Sequence, residues 1–388
     1  MNNITNYITF SILFFFYISC TEQNSVPTIT TSTISGITTM SATGGGNVID
    51  DGGAPVNTRG VCWSISPNPT ITDDKTIDGS GTGIFISSLE ELTPGVTYHV
   101  RAYAGNIEGV SYGEDLTFTC TTSMMEMISV SGGNFQMGCT SEQSGCGSDE
   151  FPVHTVNLSP FFLGKYEVTQ DQWTALMLDI TPVGTPKFSS CGGGCPVESV
   201  SWFDALVFCN RLSELEGYEP VYYSDATFTQ VYGKSGNTWE LPNAGGEIFW
   251  KTTSKGYRIP TESEWEYAAR AGAAAQHIYS GSDSSEEVAW YDSISGNTIH
   301  PVGQKQPNAL GFYDMSGNVY EWCYDWYQED YPVGPVTNPI GSGSLSVPDI
   351  VIRGGSWYND VIFTRVASRN AINFVIRNDY IGFRVARS

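Results

Sequence analysis

Charge is scarce in this chain and mostly of one sign. Of its 388 residues 15% are charged, 41 acidic against 18 basic, for a formal net charge of −23. No basic cluster with interleaved aromatics occurs, which argues against a nucleic-acid partner. Histidine is nearly absent. The four residues stand at 99, 154, 277 and 300, none at zinc-ligand spacing from a cysteine. Long apolar runs are missing too, since the run from Phe10 to Ile18 is too short to span a bilayer comfortably. No cysteine follows Cys323. Glycine (42), tyrosine (21) and tryptophan (10) are plentiful instead, the composition of a loop-rich, extracytoplasmic β protein. The length suffices for two or three domains, each with its own core.

The Phe10–Ile18 run has the length of a signal-peptide core, although no Lys or Arg precedes it. It ends in Tyr17-Ile-Ser-Cys20, before a polar stretch. This resembles a bacterial lipobox, with residues 1–20 as lipoprotein signal peptide, 21–28 as tether and Cys20 as the acylated residue. The implied place is the bacterial cell envelope, lipid-anchored, on the outer surface. Eight further cysteines remain, at 62, 120, 139, 146, 191, 195, 209 and 323. An even number in an exported chain points to disulfides. The pairs Cys139/Cys146 and Cys191/Cys195 sit in Gly/Ser-rich loops where local bridges can close.

Residues 29–122 read as short alternating strands broken by Gly, Asn, Asp and Pro, which predicts an all-β sandwich. Leu92-Thr-Pro-Gly-Val-Thr-Tyr98 resembles the tyrosine corner of fibronectin type III modules. No catalytic set appears there, and a spacer role is expected.

From 125 to 388 the composition changes. Ser201 is a plausible cap for a helix with Trp202, Ala205, Leu206 and Cys209 on its inner face. Thr261 with Glu264 has capping-box spacing and puts Trp265, Ala268 and Ala269 inward. Ordered motifs run through this region. They are Ser131-Gly-Gly-Asn-Phe-Gln-Met-Gly138, Lys165-Tyr-Glu-Val-Thr169, Gly256-Tyr-Arg-Ile-Pro-Thr-Glu-Ser-Glu-Trp-Glu-Tyr-Ala-Ala-Arg270, Pro307-Asn-Ala-Leu-Gly-Phe-Tyr-Asp-Met-Ser-Gly-Asn-Val-Tyr-Glu-Trp322, Arg353-Gly-Gly-Ser356 and Ile381-Gly-Phe-Arg384. The region resembles the formylglycine-generating enzyme (sulfatase-modifying factor) family. That resemblance implies an irregular α+β, C-type-lectin-like fold. The tryptophans are expected to hold long loops down, and Arg258, Arg270 and Arg384 to pair with Glu167, Glu262 or Glu266.

The family's oxygenase chemistry uses two copper-binding cysteines after the Arg-Gly-Gly-Ser motif. Here that stretch offers Asn359, Asp360, Val361 and Thr364, which cannot do thiolate copper chemistry. Copper is therefore not expected, no catalytic residue is assigned, and Ser356 is read as a turn residue. The family's calcium site does carry over by position. Its ligands would be Asp314, the carbonyls of Gly317 and Val319, and Glu321, a hard oxygen set suited to a structural Ca²⁺.

Within the frame formed by Arg353-Gly-Gly-Ser-Trp-Tyr358 and Ile381-Gly-Phe-Arg-Val-Ala386 runs an insert that fits neither helix nor strand period. Between Tyr358 and Tyr380 it lacks Lys, Glu, Gln, Met and Trp. This is the set reached when Asn codons vary at their adenines, and it resembles the variable region of diversity-generating retroelement targets. The expected ligand-binding residues are Asn359, Asp360, Val361, Ile362, Phe363, Ala371, Asn373, Phe374, Ile376, Asn378 and Tyr380, facing an unknown protein or glycan ligand. Two alternatives stand beside this display reading. One is an enzyme of the sulfatase-modifying type acting on another substrate. The other is a structural component of an envelope or gliding complex.

Overall fold

Turn residues spaced every few positions cut the N-terminal part into short strands, and period-two alternation decides which side of each is buried. In the computed structural model the described residues are 23–388, apart from 38–39, 94, 181–185, 242–246, 274–276 and 342–348. Cys20 and the 1–20 leader lie outside the described residues, as does the start of the tether. Two compact units divide the chain, Met1–Thr121 and Thr122–Ser388. Among the described residues no helix is long and apolar enough to cross a membrane.

The first unit contains β1 (Thr28–Thr31), β2 (Ala42–Asp50), β3 (Thr58–Ser64), β4 (Asp74–Lys75), β5 (Gly83–Leu89), β6 (Thr97–Asn106), β7 (Gly109–Tyr112) and β8 (Leu116–Thr119). They form two antiparallel sheets, β1-β2-β5 and β4-β3-β6-β7, with β8 also on β6. Strand β5 shows the alternation plainly, with Phe85, Ser87 and Leu89 buried and Ile84 and Ile86 exposed. Both sheets contribute to one core, Val48, Phe85 and Leu89 from one and Val61, Val100 and Phe118 from the other. The Tyr98 hydroxyl accepts the Thr93 amide at 3.1 Å.

The second unit has few helices and many short strands. Helices α1 (Gln170–Met177), α2 (Trp202–Leu215) and α3 (Glu262–Ala269) each open on a reciprocal capping box. The caps are Thr169 with Gln172, Ser201 with Asp204 and Thr261 with Glu264. The sequence signalled the second and third of these helices but not the first. It also understated their burial. Eleven of the fourteen residues of α2 are buried, not one face alone. Asn210 is tolerated there because its amide donates to the carbonyls of Tyr222 and Tyr232 while accepting the amides of Val221 and Tyr222.

All eight residues of α3 are buried, including three glutamates. Their charges are met by two arginines close by, Arg258 and Arg270, and by two far away in sequence, Arg353 and Arg369. Arg369 grips Glu262 with two bonds of 2.8 Å, Arg258 grips Glu264 at 2.6 and 2.7 Å, and Glu266 receives Arg353 and Arg270. Of the expected pairings, Arg270 with Glu266 forms. Arg258 chooses Glu264, and Arg384 takes Glu321 at 2.6 and 2.7 Å. Removing one member of such a buried pair leaves an uncompensated charge and costs on the order of 3–5 kcal/mol.

Strands Met127–Val130 and Ala386–Arg387 flank Phe161–Gly164, so the two ends of the unit close one sheet. A four-stranded sheet orders Arg369–Asn373, Asp349–Arg353, Tyr320–Trp326 and Ile381–Gly382, the last pair parallel. Bridges join Cys139 to Cys146 and Cys191 to Cys195. Cys62, Cys120, Cys209 and Cys323 are buried free thiols, so the even count did not translate into four bridges.

Candidate functional site

The frame around the insert is held from below. Arg353 is fully buried and donates to Glu266 and to the carbonyls of Ser368 and Val366. Gly355 has φ +73°, and a Cβ there would stand 2.8 Å from the Phe363 carbonyl oxygen, so the turn needs glycine on both counts. The Trp357 indole donates to the Asp379 carbonyl at 3.0 Å, tying the two ends of the insert together. The other frame tryptophans likewise pin loops through their indole N–H: Trp202 to Cys323 O, Trp322 to Val200 O and Trp265 to the Glu321 carboxylate.

None of the eleven residues expected to bind ligand is buried; Asp360 and Phe363 are exposed and the rest half-buried. They fall in three groups. Val361, Ile362 and Phe363 form a 3-10 turn with Thr364, begun by Asp360, whose carboxylate accepts the Ile362 amide at 3.0 Å. Asn359 precedes it, its side chain bonded to Ser356 and its carbonyl accepting the Asp292 amide. Asn378 donates to the Tyr380 hydroxyl at 2.6 Å, and the Tyr380 ring stacks on Tyr358 at 6.1 Å. Ala371 and Asn373 lie in the terminal strand of the four-stranded sheet, and the Ile376 amide bonds back to the Asn373 carbonyl. Phe374 turns from this group toward α2, meeting Phe203 at 5.1 Å and Trp326 at 5.9 Å.

Between the groups, Thr364 to Arg369 are buried, held by Arg365 on Glu150 and Arg369 on Glu262. Sequence reasoning missed Tyr358, which is 60% exposed although it closes the Arg353–Tyr358 frame segment, and Val375, 40% exposed. Arg377 is also exposed, and it pairs with Asp204 at 2.7 Å.

Asp314 and Glu321 are both buried, and a third carboxylate, Glu167, joins them. Asp314 accepts the Gly303 amide at 2.7 Å. Glu167 accepts the Val319 amide at 3.1 Å and the Asn318 side chain at 2.8 Å. Glu321 faces Arg384 and the Trp265 indole. Burial, opposed by the Gly303 amide and Arg384 and reinforced by Glu321, pushes the Asp314 carboxyl up to about 6. Burial, then the charges of Asp314 and Glu321, raise Glu167 well above the carboxylate range. Arg384 and the Trp265 indole occupy both Glu321 oxygens, so of the three acids Asp314 and Glu167 are the ones with oxygens left to offer a hard cation. Glu167 belongs to the Lys165-Tyr-Glu-Val-Thr169 motif, the signal by which it was within reach. Among the described residues, Cys139, Cys146 and Glu150 bring three side-chain ligand atoms within 4.8 Å of one another, and those two cysteines are bridged.

A cavity of about 220 Å³ beside the start of α3 is lined by His154, Glu262, Asp325, Trp326, Tyr331 and Arg369, among others, and by none of the eleven insert residues. Asp325 accepts the amides of Glu262 and Gly341, and burial, reinforced by Glu262, pushes its carboxyl up to about 7.

Residues 114–388 match the model of the sulfatase-modifying factor enzyme 1-like domain. The chain is 35% identical over 290 residues to the chaperone protein LppX of Paenibacillus barcinonensis, covering 69% of this chain and 91% of that one. It is 28% identical to the formylglycine-generating enzyme of Streptomyces coelicolor, covering 67% and 88% respectively. Among solved structures, Treponema denticola variable protein 1 aligns with a TM-score of 0.57 at 32% identity, covering 70% of this chain and 95% of that one.

Proposed function

Because the chain belongs to the sulfatase-modifying factor enzyme 1-like family yet has no cysteine after Cys323, we propose that its second unit is a ligand-binding display domain and not an oxygenase. The observation that carries this reading is the division of the insert. A buried frame and a buried middle, Thr364 to Arg369, support two half-exposed halves, 358–363 and 370–380, in the second of which Phe374 packs toward α2. Likeness to a variable protein of Treponema supports the same reading. In the stretch where the resemblance expects copper thiolates stand Asn359, Asp360, Val361 and Thr364, with Asn359 engaged with Ser356. The ligand is a protein or glycan.

Three further elements complete the proposal. The first unit is a fibronectin type III-like spacer, a reading supported by its strand order and by the Tyr98 hydroxyl that accepts the Thr93 amide. Cys20 carries the lipid that anchors the protein to the cell envelope. Asp314, Glu321, the carbonyls of Gly317 and Val319, and now Glu167 nearby hold a structural Ca²⁺.

Sequencing the locus in sibling strains tests the display reading. Substitutions concentrated in 358–363 and 370–380, at adenine positions of the codons, are expected. A locus invariant there, or one varying equally in the buried frame, overturns it.

A further inference from the structure

The loop closed by Cys139 and Cys146 lies directly beneath the Val361–Thr364 turn. Gly145, at φ +68°, sits so close to Ile362 that a Cβ on it would be 2.6 Å from the Ile362 Cδ1. Arg365, the residue that ends the turn, is buried and spends its whole guanidinium on this contact. Its Nε donates to the Ile362 carbonyl at 3.0 Å, and its Nη2 to the Gly145 carbonyl at 3.3 Å. Its Nη1 meets Cys146 Sγ at 3.6 Å, and both Nη groups grip the buried Glu150 at 2.9 and 2.5 Å. Glu150 in turn accepts the Gly147 amide at 3.0 Å. One guanidinium thus fastens the turn to the bridged loop, which carries both Gly145 O and Cys146 Sγ. Both cysteines are half-buried, within reach of a small reductant.

We propose that the Cys139–Cys146 bridge is a redox latch that fixes the pose of Val361, Ile362 and Phe363. A dithiol reductant opens it: two electrons and two protons convert the S–S bond to two thiols while the reductant closes to its own cyclic disulfide. With the bridge open, the loop regains the conformational freedom that closure removes, and the seat of Ile362 disperses. The meaning of the latch for ligand presentation rests on the display reading. The conformational coupling does not, and its test reads conformation alone.

Hydrogen exchange on the full chain, oxidised against dithiothreitol-treated, is the measurement. The reporters are the amides of Ile362, Phe363 and Val366, bonded to the Asp360 carboxylate, the Asp360 carbonyl and the Ile278 carbonyl. They should exchange at least about tenfold faster once the bridge opens. Amides of Asp349–Arg353 should not change. The double variant Cys139→Ser/Cys146→Ser should reproduce the effect without reductant. Arg365→Lys, which keeps the charge and loses the fork, should loosen the same amides with the bridge intact. The variant Cys191→Ser/Cys195→Ser should leave them unchanged. Equal exchange in both redox states, or acceleration spread evenly over Asp349–Arg353, overturns the latch. So does an equal effect from breaking the Cys191–Cys195 bridge.

Discussion

Replacing Val361, Ile362 and Phe363 together by serine separates a presented surface from a core. Full burial of each such side chain is worth about 1.5–3 kcal/mol. Here Phe363 is 38% exposed and the other two are half-buried. Roughly half of the transfer energy is therefore at stake, about 1 kcal/mol each and about 3 kcal/mol for the triple variant, with no cavity cost because water fills the space. In a unit of this size about 3 kcal/mol lowers the Tm by roughly 6–12 °C and leaves a cooperative transition. If the three were packed as core, Phe363 alone would cost about 3–5 kcal/mol and the triple variant about 8 kcal/mol or more, which exhausts the stability of most domains. A matched control is Ile352→Ala in the neighbouring strand, where the side chain is buried and about 2–5 kcal/mol is expected from a single change. Thermal and urea melts followed by tryptophan fluorescence give the answer. A triple variant that is unfolded at 25 °C, or that loses more than the Ile352→Ala control and Phe363→Ala combined, refutes the surface placement.

Four other outcomes are expected. Chelation should lower the Tm of the second unit, since a ligand at about 100 times its Kd adds about 2.7 kcal/mol of stability, and metal analysis should find Ca²⁺; an unchanged melt with no bound calcium removes the site. The raised Asp325 carboxyl favours the folded state when protonated, so its contribution is complete below about pH 4 and is lost as pH rises toward 7. Over that window stability should fall by up to about 4 kcal/mol, and Asp325→Asn should flatten this part of a urea-melt pH profile; an equal slope in both proteins contradicts it. Mass spectrometry of the envelope-purified protein should find an acylated N-terminal Cys20, whereas a free thiol or cleavage elsewhere ends the anchor proposal. Given copper, oxygen and a cysteine-bearing sulfatase peptide, the purified protein should leave the peptide unoxidised, and conversion above a protein-free control would restore the enzyme reading.

Local features were legible in the sequence. The caps at Ser201 and Thr261 were readable because a capping box is written within four residues, and the two disulfides because their cysteines stand in short flexible loops. The α1 cap, Thr169 with Gln172, is written the same way, at the end of the Lys165–Thr169 motif. What could not be read depends on distant partners. Arg270 near α3 hints at a paired Glu266, but the arginines that complete the burial of Glu262 and Glu266, Arg369 and Arg353, come about 90–110 residues later. The same holds within the insert. Arg365 and Arg369 look like surface charges until Glu150 and Glu262 are placed beside them, so the buried middle was invisible to a reading by period. Glu167 escaped the cation set for a similar reason, since only folding brings it to Asn318 and Val319.

The buried middle of the insert also governs how this surface can change. Thr364 to Arg369 is anchored on Glu150 and Glu262, outside both flanking halves, and Trp357 clasps the outer ends. Apart from Tyr358 and Tyr380, whose rings stack, a substitution in 359–363 therefore does not have to be accommodated by 370–379, and the reverse holds as well. Two segments that tolerate change separately offer the product of their variants and not merely the sum. A population of such chains can explore many pairings of the halves while each individual molecule still folds.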